Sequence, residues 1–371
     1  MISGREIRQP LTQIPVELAA VSDYERLAPQ FMAPDIHAYI AGGCGSEITL
    51  RKNTEHFENI NLAPHVLQDF SSASTQSSLL GRKLNHPILL GPVAHQCLVH
   101  PEGELATVAG AEVVHAMFIA STLSHVTLEA VAESSGNDKW FQLYFQATRE
   151  VTLSLVKRAE AAGYQALVIT VDVPVTGMRY RAQRAGFTMP SALVDANLVG
   201  YTVPPPRVLE RDQSVVFDGL MSDAPTWNDI EWLLESTSLP VILKGIIRPD
   251  DALRAQAMGV AAVVVSNHGG RSLDGLPATI DALPRIRQQL GADYPVLFDS
   301  GIRSGGDVFK AIALGANAVL IGRPQVYALA VAGALGVAHM LRILHTELEV
   351  TMALAGCPSL DTINSETCFT I

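Results

Sequence analysis

Several residues able to do acid–base or anion chemistry occupy comparable places in this chain, each just past a short apolar run. In "VVVSNHGGRSLDG" (263–275) three valines give way to Ser266, Asn267, His268, two glycines and Arg271. An imidazole three positions from a guanidinium suits a base beside an anion clamp. The intervening glycines permit positive-φ turns and close backbone approach. The run "ALVITVD" (166–172) ends in Thr170 and Asp172, with Arg179 a few residues on. A carboxylate beside a histidine orients the ring and stabilises its protonated form. Two guanidiniums offer bidentate binding to a carboxylate. This set describes an enzyme acting on the carbon or hydroxyl next to a –COO⁻ group. "PVILKG" (240–245) adds Lys244, a charge able to stabilise a reduced cofactor.

Taken singly, each residue has an ordinary use. A lone histidine after a strand is usually a loop hydrogen-bonder, Asp172 could cap a turn, and Lys244 could be a solvated strand end. Arg303 and Arg323 could be surface ion pairs. Their shared position after successive apolar runs argues against all of these at once. "DSGIRSGGDVFKA" and "LIGRP" place Asp299, Gly301 and Arg303, then Gly322 and Arg323, ahead of helix N-termini. Backbone N–H groups and the helix dipole favour an anion there, which implies a phosphorylated cofactor or substrate.

The elements that must position these residues follow a regular rhythm from residue 87. Four apolar runs, "PILLGPVA" (87–94), "AMFIAST" (116–122), "WFQLYF" (140–145) and "ALVITVD", open the series. "PVILKG", "AAVVVSN" (261–267), "PVLFDS" (295–300) and "AVLIG" (318–322) complete it. Helical patterns such as 149–163, 249–259 and 305–316 lie between them. Eight strands alternating with helices predict an α/β fold, a (β/α)₈ TIM barrel, with its chemistry at the C-terminal strand ends. Pro92, Val93, Ala94, Ser121, Gln142 and Tyr144 fall at those ends as well. Residues 1–86 read as an N-terminal helical cap. The stretch 183–226, too long for an ordinary connection after strand 4, reads as a mobile lid loop. The whole chain, 1–371, is expected to form one barrel domain.

Composition narrows the class. The chain has 371 residues, 48% hydrophobic and 17% charged, with a net charge of −11. That is enough for a large core, and an acidic chain without a basic run argues against nucleic acid or an anionic membrane. The four cysteines, Cys44, Cys97, Cys357 and Cys368, form no C-x-x-C pair, so neither a disulfide framework nor a metal site is expected. A reducing, cytoplasmic location is the matching expectation. The N-terminus lacks the unbroken apolar run of a signal peptide. The apolar stretch 326–337 is glycine-broken and reads as a packed helix.

These residues resemble the FMN-dependent 2-hydroxy-acid oxidases and dehydrogenases, the family of glycolate and lactate oxidases, mandelate dehydrogenase and hydroxymandelate oxidase. "SNHGGRSLD" is the most specific element, and "LKG", "HPEGE", "QLY" and "TVD" support it in order. The resemblance implies FMN as cofactor. Pro92, Val93, Ala94, Ser121, Gln142 and Thr170 would hold the flavin ring, with Lys244 near its N1–C2 edge and Ser266 also in contact. Asp299 would meet the ribityl chain, and Gly301, Arg303, Gly322 and Arg323 the phosphate end. Tyr39, Arg179 and Arg271 would bind the substrate carboxylate and Tyr144 its hydroxyl. His268 would take the proton, with Asp172 as partner. The family also implies a homo-oligomer, a tetramer.

Departures are small: Ser272 follows the arginine where many members have Gln, and Asp299-Ser300-Gly301 replaces "DGG". Leu123 stands where short-chain-acid oxidases often place an aromatic ring over the substrate. "YIAGGCGSE", "GPVAHQ" and "STLSHVTLE" look closest to the hydroxymandelate oxidase branch. The expected reaction is oxidation of an (S)-2-hydroxy acid, mandelate-like, with O2 as acceptor and hydrogen peroxide as product. The loop 183–226 is interrupted by Asp, Arg, Glu and Pro, unlike the apolar insert of membrane-bound members. A soluble lactate-type dehydrogenase passing electrons to a quinone or protein acceptor is the alternative. A diphosphate isomerase would need a second diphosphate site, and a nucleotide dehydrogenase barrel a cysteine suitably after strand 6. A flavin-binding protein without turnover would not need His268, Asp172, Arg179, Arg271 and Lys244 together.

Overall fold

A computed structural model describes residues 7–202, 205 and 207–370. The eight apolar runs form a closed barrel of parallel strands. In chain order these are β1 (Ile88–Leu90), β2 (Phe118–Ser121), β3 (Lys139–Leu143) and β4 (Leu167–Thr170). They continue as β5 (Val241–Ile246), β6 (Ala262–Val265), β7 (Val296–Asp299) and β8 (Ala318–Ile321). Sequence neighbours pair, and β8 closes on β1 with Val319 opposite Ile88. Most of the paired strands are shorter than the apolar runs, because the chain leaves the ladder early and turns its last residues into the barrel mouth; β5 instead stays paired through Ile246.

Both faces of these strands are buried, which is why they read as unbroken apolar runs rather than alternating ones. Alternate residues still divide: Leu89, Ile119, Trp140, Val168, Ile242, Val264, Leu297 and Leu320 fill the interior. Ile88, Leu90, Phe141, Ile169, Leu243, Val265 and Phe298 pack outward into the helical layer. The helices begin where the sequence supplies caps. Thr148 accepts from the Val151 amide to start Arg149–Ala161. Pro249 opens Pro249–Ala257, and Ser304 with Asp307 forms a capping box at Gly305–Ala313.

The expected helical cap over 1–86 also carries short strands. Helices Val21–Leu27, Pro34–Ala41 and Ile48–Glu55 account for only its first part. Ile60–Leu62 then pairs antiparallel with Cys368–Thr370, and Ser77–Leu79 pairs with Arg82–Leu84 as a hairpin. Leu80 and Gly81 between them both have positive φ, as a type I′ turn requires. The hairpin sends Leu79 and Leu84 into the interior cluster and stops one end of the barrel. The signal was present in "SSLLGRKL", but the run is too short to stand out from a loop.

The stretch 326–337 belongs to a helix, Arg323–Ala355, broken by non-helical backbone at Ala332 and Gly333. It is apolar and long enough to cross a membrane, yet 72% of its most apolar window is buried in the molecule. The stretch 183–226 contains single turns at Ala196–Leu198 and Val215–Leu220. It is pinned at Asn197, which is wholly buried. The Asn197 amide donates to the Ser121 and Thr122 carbonyls at 3.2 Å, and its oxygen accepts from the Leu128 N–H at 2.7 Å. Residues 1–6 of the expected cap and 203, 204 and 206 of the expected lid lie outside the described residues.

Replacing Asn197 strands one buried N–H and two carbonyls, a loss of about 1–3 kcal/mol. Asn197→Ala is therefore expected to lower the thermal unfolding midpoint of the FMN-loaded protein and to speed tryptic cleavage within 183–226. Unchanged cleavage would contradict the pinning role.

Candidate active site

A cavity of about 1250 Å³ opens at the C-terminal ends of the strands. Most of the expected site residues line it, from Pro92, Val93 and Ala94 after β1 to Gly322 and Arg323 after β8. Leu123, Tyr144 and Thr170 line it from the ends of β2, β3 and β4. Tyr39 reaches the same cavity from Pro34–Ala41, the helix that covers the mouth. Asp172 and Ser266 are not among the lining residues; each stands behind one that is.

His268 follows β6 in the left-handed region, at φ 58°. Its Nδ1 lies 3.0 Å from Asp172 Oδ1. With Asp172 ionised, Nδ1 carries the proton and donates it, which leaves Nε2 with its lone pair. Burial lowers the pKa of His268, and the Asp172 charge opposes that only in part. Burial would raise the Asp172 carboxyl, but His268 and Lys244 hold it below the usual carboxylate range. The pair is thus a neutral imidazole backed by a carboxylate, the state a general base requires. Close approach of Asp172 depends on Gly245, whose φ is 113°. A Cβ there would stand 2.5 Å from the Asp172 Cβ.

Three arginines surround the same space without a carboxylate partner among the described residues. Arg179 donates to the carbonyls of Tyr39, Gly42 and Gly43. Arg271 donates to Tyr39 and Ile40, and Arg323 to Ile40, Gly42 and Gly269. The Arg179 and Arg271 guanidiniums lie 5.5 and 5.1 Å from the Tyr39 ring centroid. Burial and the neighbouring Arg271 push Arg323 down to about 9, and the same two causes push Arg179 down to about 10. Crowded, partly desolvated cations held by neutral carbonyls make a receptor for anions.

The cavity's other wall has donors to spare. Lys244, almost fully buried, is held by Asp299 at 3.0 Å and by the Ser266 hydroxyl at 3.0 Å. Burial alone would lower its pKa, but Asp299 and Asp172 outweigh that and keep it charged. Gln142 accepts through Oε1 from the Ser121 hydroxyl and the Thr122 N–H, while its buried Nε2 has no partner. A planar ring with carbonyls and ring nitrogens is what Gln142 Nε2 and Lys244 would satisfy. Gly322 faces open space where a Cβ would project. Those features fit an FMN.

At the expected phosphate end the arrangement differs from the sequence reading. The helix start after β7 is already occupied: the Gly305 N–H donates to Glu347 at 2.7 Å and Ser304 with Asp307 caps the first turn. Arg303 donates to Glu25 at 2.7 Å. Gly301 lines the cavity, but a Cβ there would meet the Asn53 carbonyl, so packing against Ile48–Glu55 also requires it. Arg303, Gly322 and Arg323 rather than the Gly305–Ala313 amides are what the cavity offers a phosphate.

Sequence reasoning missed two structural supports. Asn267 and Asn53 exchange side-chain amide bonds at 2.8 Å, both buried, and so fix the His268 loop to a covering helix. Phe187, from the expected lid, stacks on Tyr39 with centroids 4.2 Å apart and planes 12° apart. Asn267 sat inside the quoted motif and could have been weighed; nothing in the sequence distinguishes Phe187.

Gly245→Ala forces Asp172 aside. Misplacement on that scale costs about 100-fold in rate. The variant is expected to keep its bound flavin and to lose about that factor in anaerobic reduction by substrate; wild-type kinetics would contradict the geometric argument.

The chain is similar to known proteins over nearly its whole length. A model of the FMN-dependent dehydrogenase family matches residues 28–370. The L-lactate oxidase of Alicycliphilus denitrificans is 51% identical, over 96% of this chain and 98% of its own length. The 4-hydroxymandelate oxidase of Amycolatopsis orientalis is 43% identical, over 92% of this chain and 95% of its own. A crystal structure of mandelate oxidase with (S)-2-phenylpropionate matches with TM-score 0.86 at 40% identity, covering 95% of this chain and 98% of that one. Matched by that family model and by these relatives over nearly its whole length, this chain belongs to the FMN-dependent dehydrogenase family.

Proposed function

We propose that the protein oxidises (S)-2-hydroxy acids to 2-oxo acids with O2 as electron acceptor, releasing hydrogen peroxide. The carrying observation is one cavity in which the His268–Asp172 pair faces Arg179 and Arg271, neither matched by a carboxylate. Relatives named as L-lactate, 4-hydroxymandelate and (S)-2-hydroxyacid oxidases support the oxidase reading.

In this reading Arg179 and Arg271 grip the substrate carboxylate, with Tyr39 close to both guanidiniums and held by the Phe187 stack. That grip sets the α-carbon and its hydroxyl against His268. Tyr144 hydrogen-bonds the hydroxyl, and Nε2 of His268 takes its proton. Asp172 stabilises the resulting imidazolium without taking the proton itself. FMN, when bound, would supply the acceptor for the α-hydrogen with its electron pair, which together with the proton held on His268 reduces O2 to hydrogen peroxide. Lys244 supplies positive charge on the side where negative charge then accumulates.

The substrate's variable group would meet an apolar wall that includes Leu123, Phe187 and Leu198. We therefore assign acids with apolar side chains, mandelate-like ones included. Anaerobic mixing with glycolate, L-lactate and (S)-mandelate tests this: the apolar acids should bleach the flavin faster than glycolate, and oxygenated buffer should restore it rapidly. Glycolate as the fastest reductant would overturn the substrate class. Sluggish reoxidation after fast bleaching would overturn the oxidase assignment in favour of a dehydrogenase.

The carboxylate clamp makes a second prediction. Arg271→Lys exchanges a planar fork for a point charge, so KM for the acid should rise at least about tenfold, with FMN affinity nearly unchanged. Equal losses of both, read by steady-state kinetics and flavin release, would contradict the assignment.

A further inference from the structure

Three side chains, His95 lining the catalytic cavity and two beside it, play no part in the proposed reaction. His95 directly follows Ala94 in the loop after β1, His125 lies two residues beyond Leu123 in the loop after β2, and Asp195 lies two residues before Asn197. The loops meet so that His95 Nδ1 is 3.3 Å from His125 Nε2 and 3.3 Å from Asp195 Oδ1. All three ligand atoms fall within 4.8 Å of one another.

A hydrogen-bond network accounts poorly for this contact. His95 Nδ1 has at most one proton to offer two acceptors, and both separations are longer than good N–H···N or N–H···O bonds. Asp195 Oδ1 is shielded from solvent yet makes no hydrogen bond, and neither does His125 Nδ1. A histidine that carries its proton on Nδ1 presents a bare Nε2 to the cluster. The two 3.3 Å separations match something else. Two ligand atoms each about 2.0–2.1 Å from a tetrahedral zinc ion stand about 3.4 Å apart.

The surroundings fit as well. Both imidazoles are half-buried where the three loops meet. Beneath them lies Glu104, wholly buried, accepting the N–H groups of Gln96 and His125 with its second oxygen unpartnered. Asp195 supplies the one carboxylate among the three ligands. Asp195 is about a third exposed at 34%, which leaves a route in and a place for a water ligand.

We propose that His95, His125 and Asp195 bind a divalent transition-metal ion of the zinc type, which clamps the 183–226 segment onto the loops after β1 and β2. Two imidazoles and one carboxylate with an open position suit Zn²⁺ and exclude Mg²⁺ or Ca²⁺, which prefer all-oxygen shells. The site lies beside the flavin cavity and takes no electron from the reaction. Its effect is mechanical, tying down the segment that carries Phe187 and Leu198 to the mouth.

The test uses the FMN-loaded full chain, free of any histidine tag, with Zn²⁺ as the probe. Equilibrium dialysis followed by metal analysis should find one zinc per chain. His125→Gln and Asp195→Asn, with normal flavin spectra, should each weaken uptake by more than about tenfold. Zinc should also slow tryptic cleavage within 183–226 in the wild-type protein, and Mg²⁺ should not. Absence of stoichiometric uptake, or equal uptake by wild type and both variants, overturns the site. Uptake without any change in proteolysis overturns the clamp. Neither result bears on flavin reduction by hydroxy acids, so the reading of the catalytic site stands or falls separately.

Discussion

The contact between Asp172 and His268 is the interaction around which the barrel mouth is organised. It joins the end of β4 to the end of β6 across β5, whose Gly245 supplies the space a side chain would remove. It orients the imidazole, while burial keeps the ring neutral against the pull of the Asp172 charge. The Ser266 hydroxyl receives both the His268 N–H and the Lys244 ammonium, so the base and the cavity's buried cation share one support. The reciprocal Asn53–Asn267 amides fasten the same loop to the covering helices. Few of these groups can move without moving the others.

Opposite that pair, the protein gathers positive charge that it does not neutralise itself. Arg179, Arg271 and Arg323 rest on carbonyls of one short stretch, residues 39–43, and of Gly269. Burying cations without counter-charges costs several kcal/mol each in the free protein, and an anionic ligand recovers it. Affinity for carboxylate and phosphate is therefore built in before either arrives. The helix bearing Tyr39 is the keystone of this arrangement, because its carbonyls hold the arginines and its ring is sandwiched by them and Phe187.

Much of this was legible in the residues. Strands buried on both faces declare themselves as apolar runs, and chemistry at their C-terminal ends follows from the barrel. His268, Arg271, Lys244 and Arg179 were identifiable because charge after a valine-rich run has few structural uses. The hairpin Ser77–Leu84 was not, since three-residue strands carry too little pattern to separate from a loop. Nor was the orientation of Arg303 toward Glu25, or the sealing of the Gly305 amide by Glu347; both partners come from distant elements that only tertiary packing brings near. The stack of Phe187 on Tyr39 and the meeting of His95, His125 and Asp195 are hidden for the same reason. Each joins residues from separate loops, and no local spacing records it.

The account rests most heavily on His268 acting as the base. The direct measurement is single-turnover anaerobic flavin reduction by a 2-hydroxy acid in His268→Ala, with bound FMN quantified in the same sample. The account predicts normal FMN content and a reduction rate lower by at least about 100-fold. Reduction at the wild-type rate with FMN fully bound would contradict it.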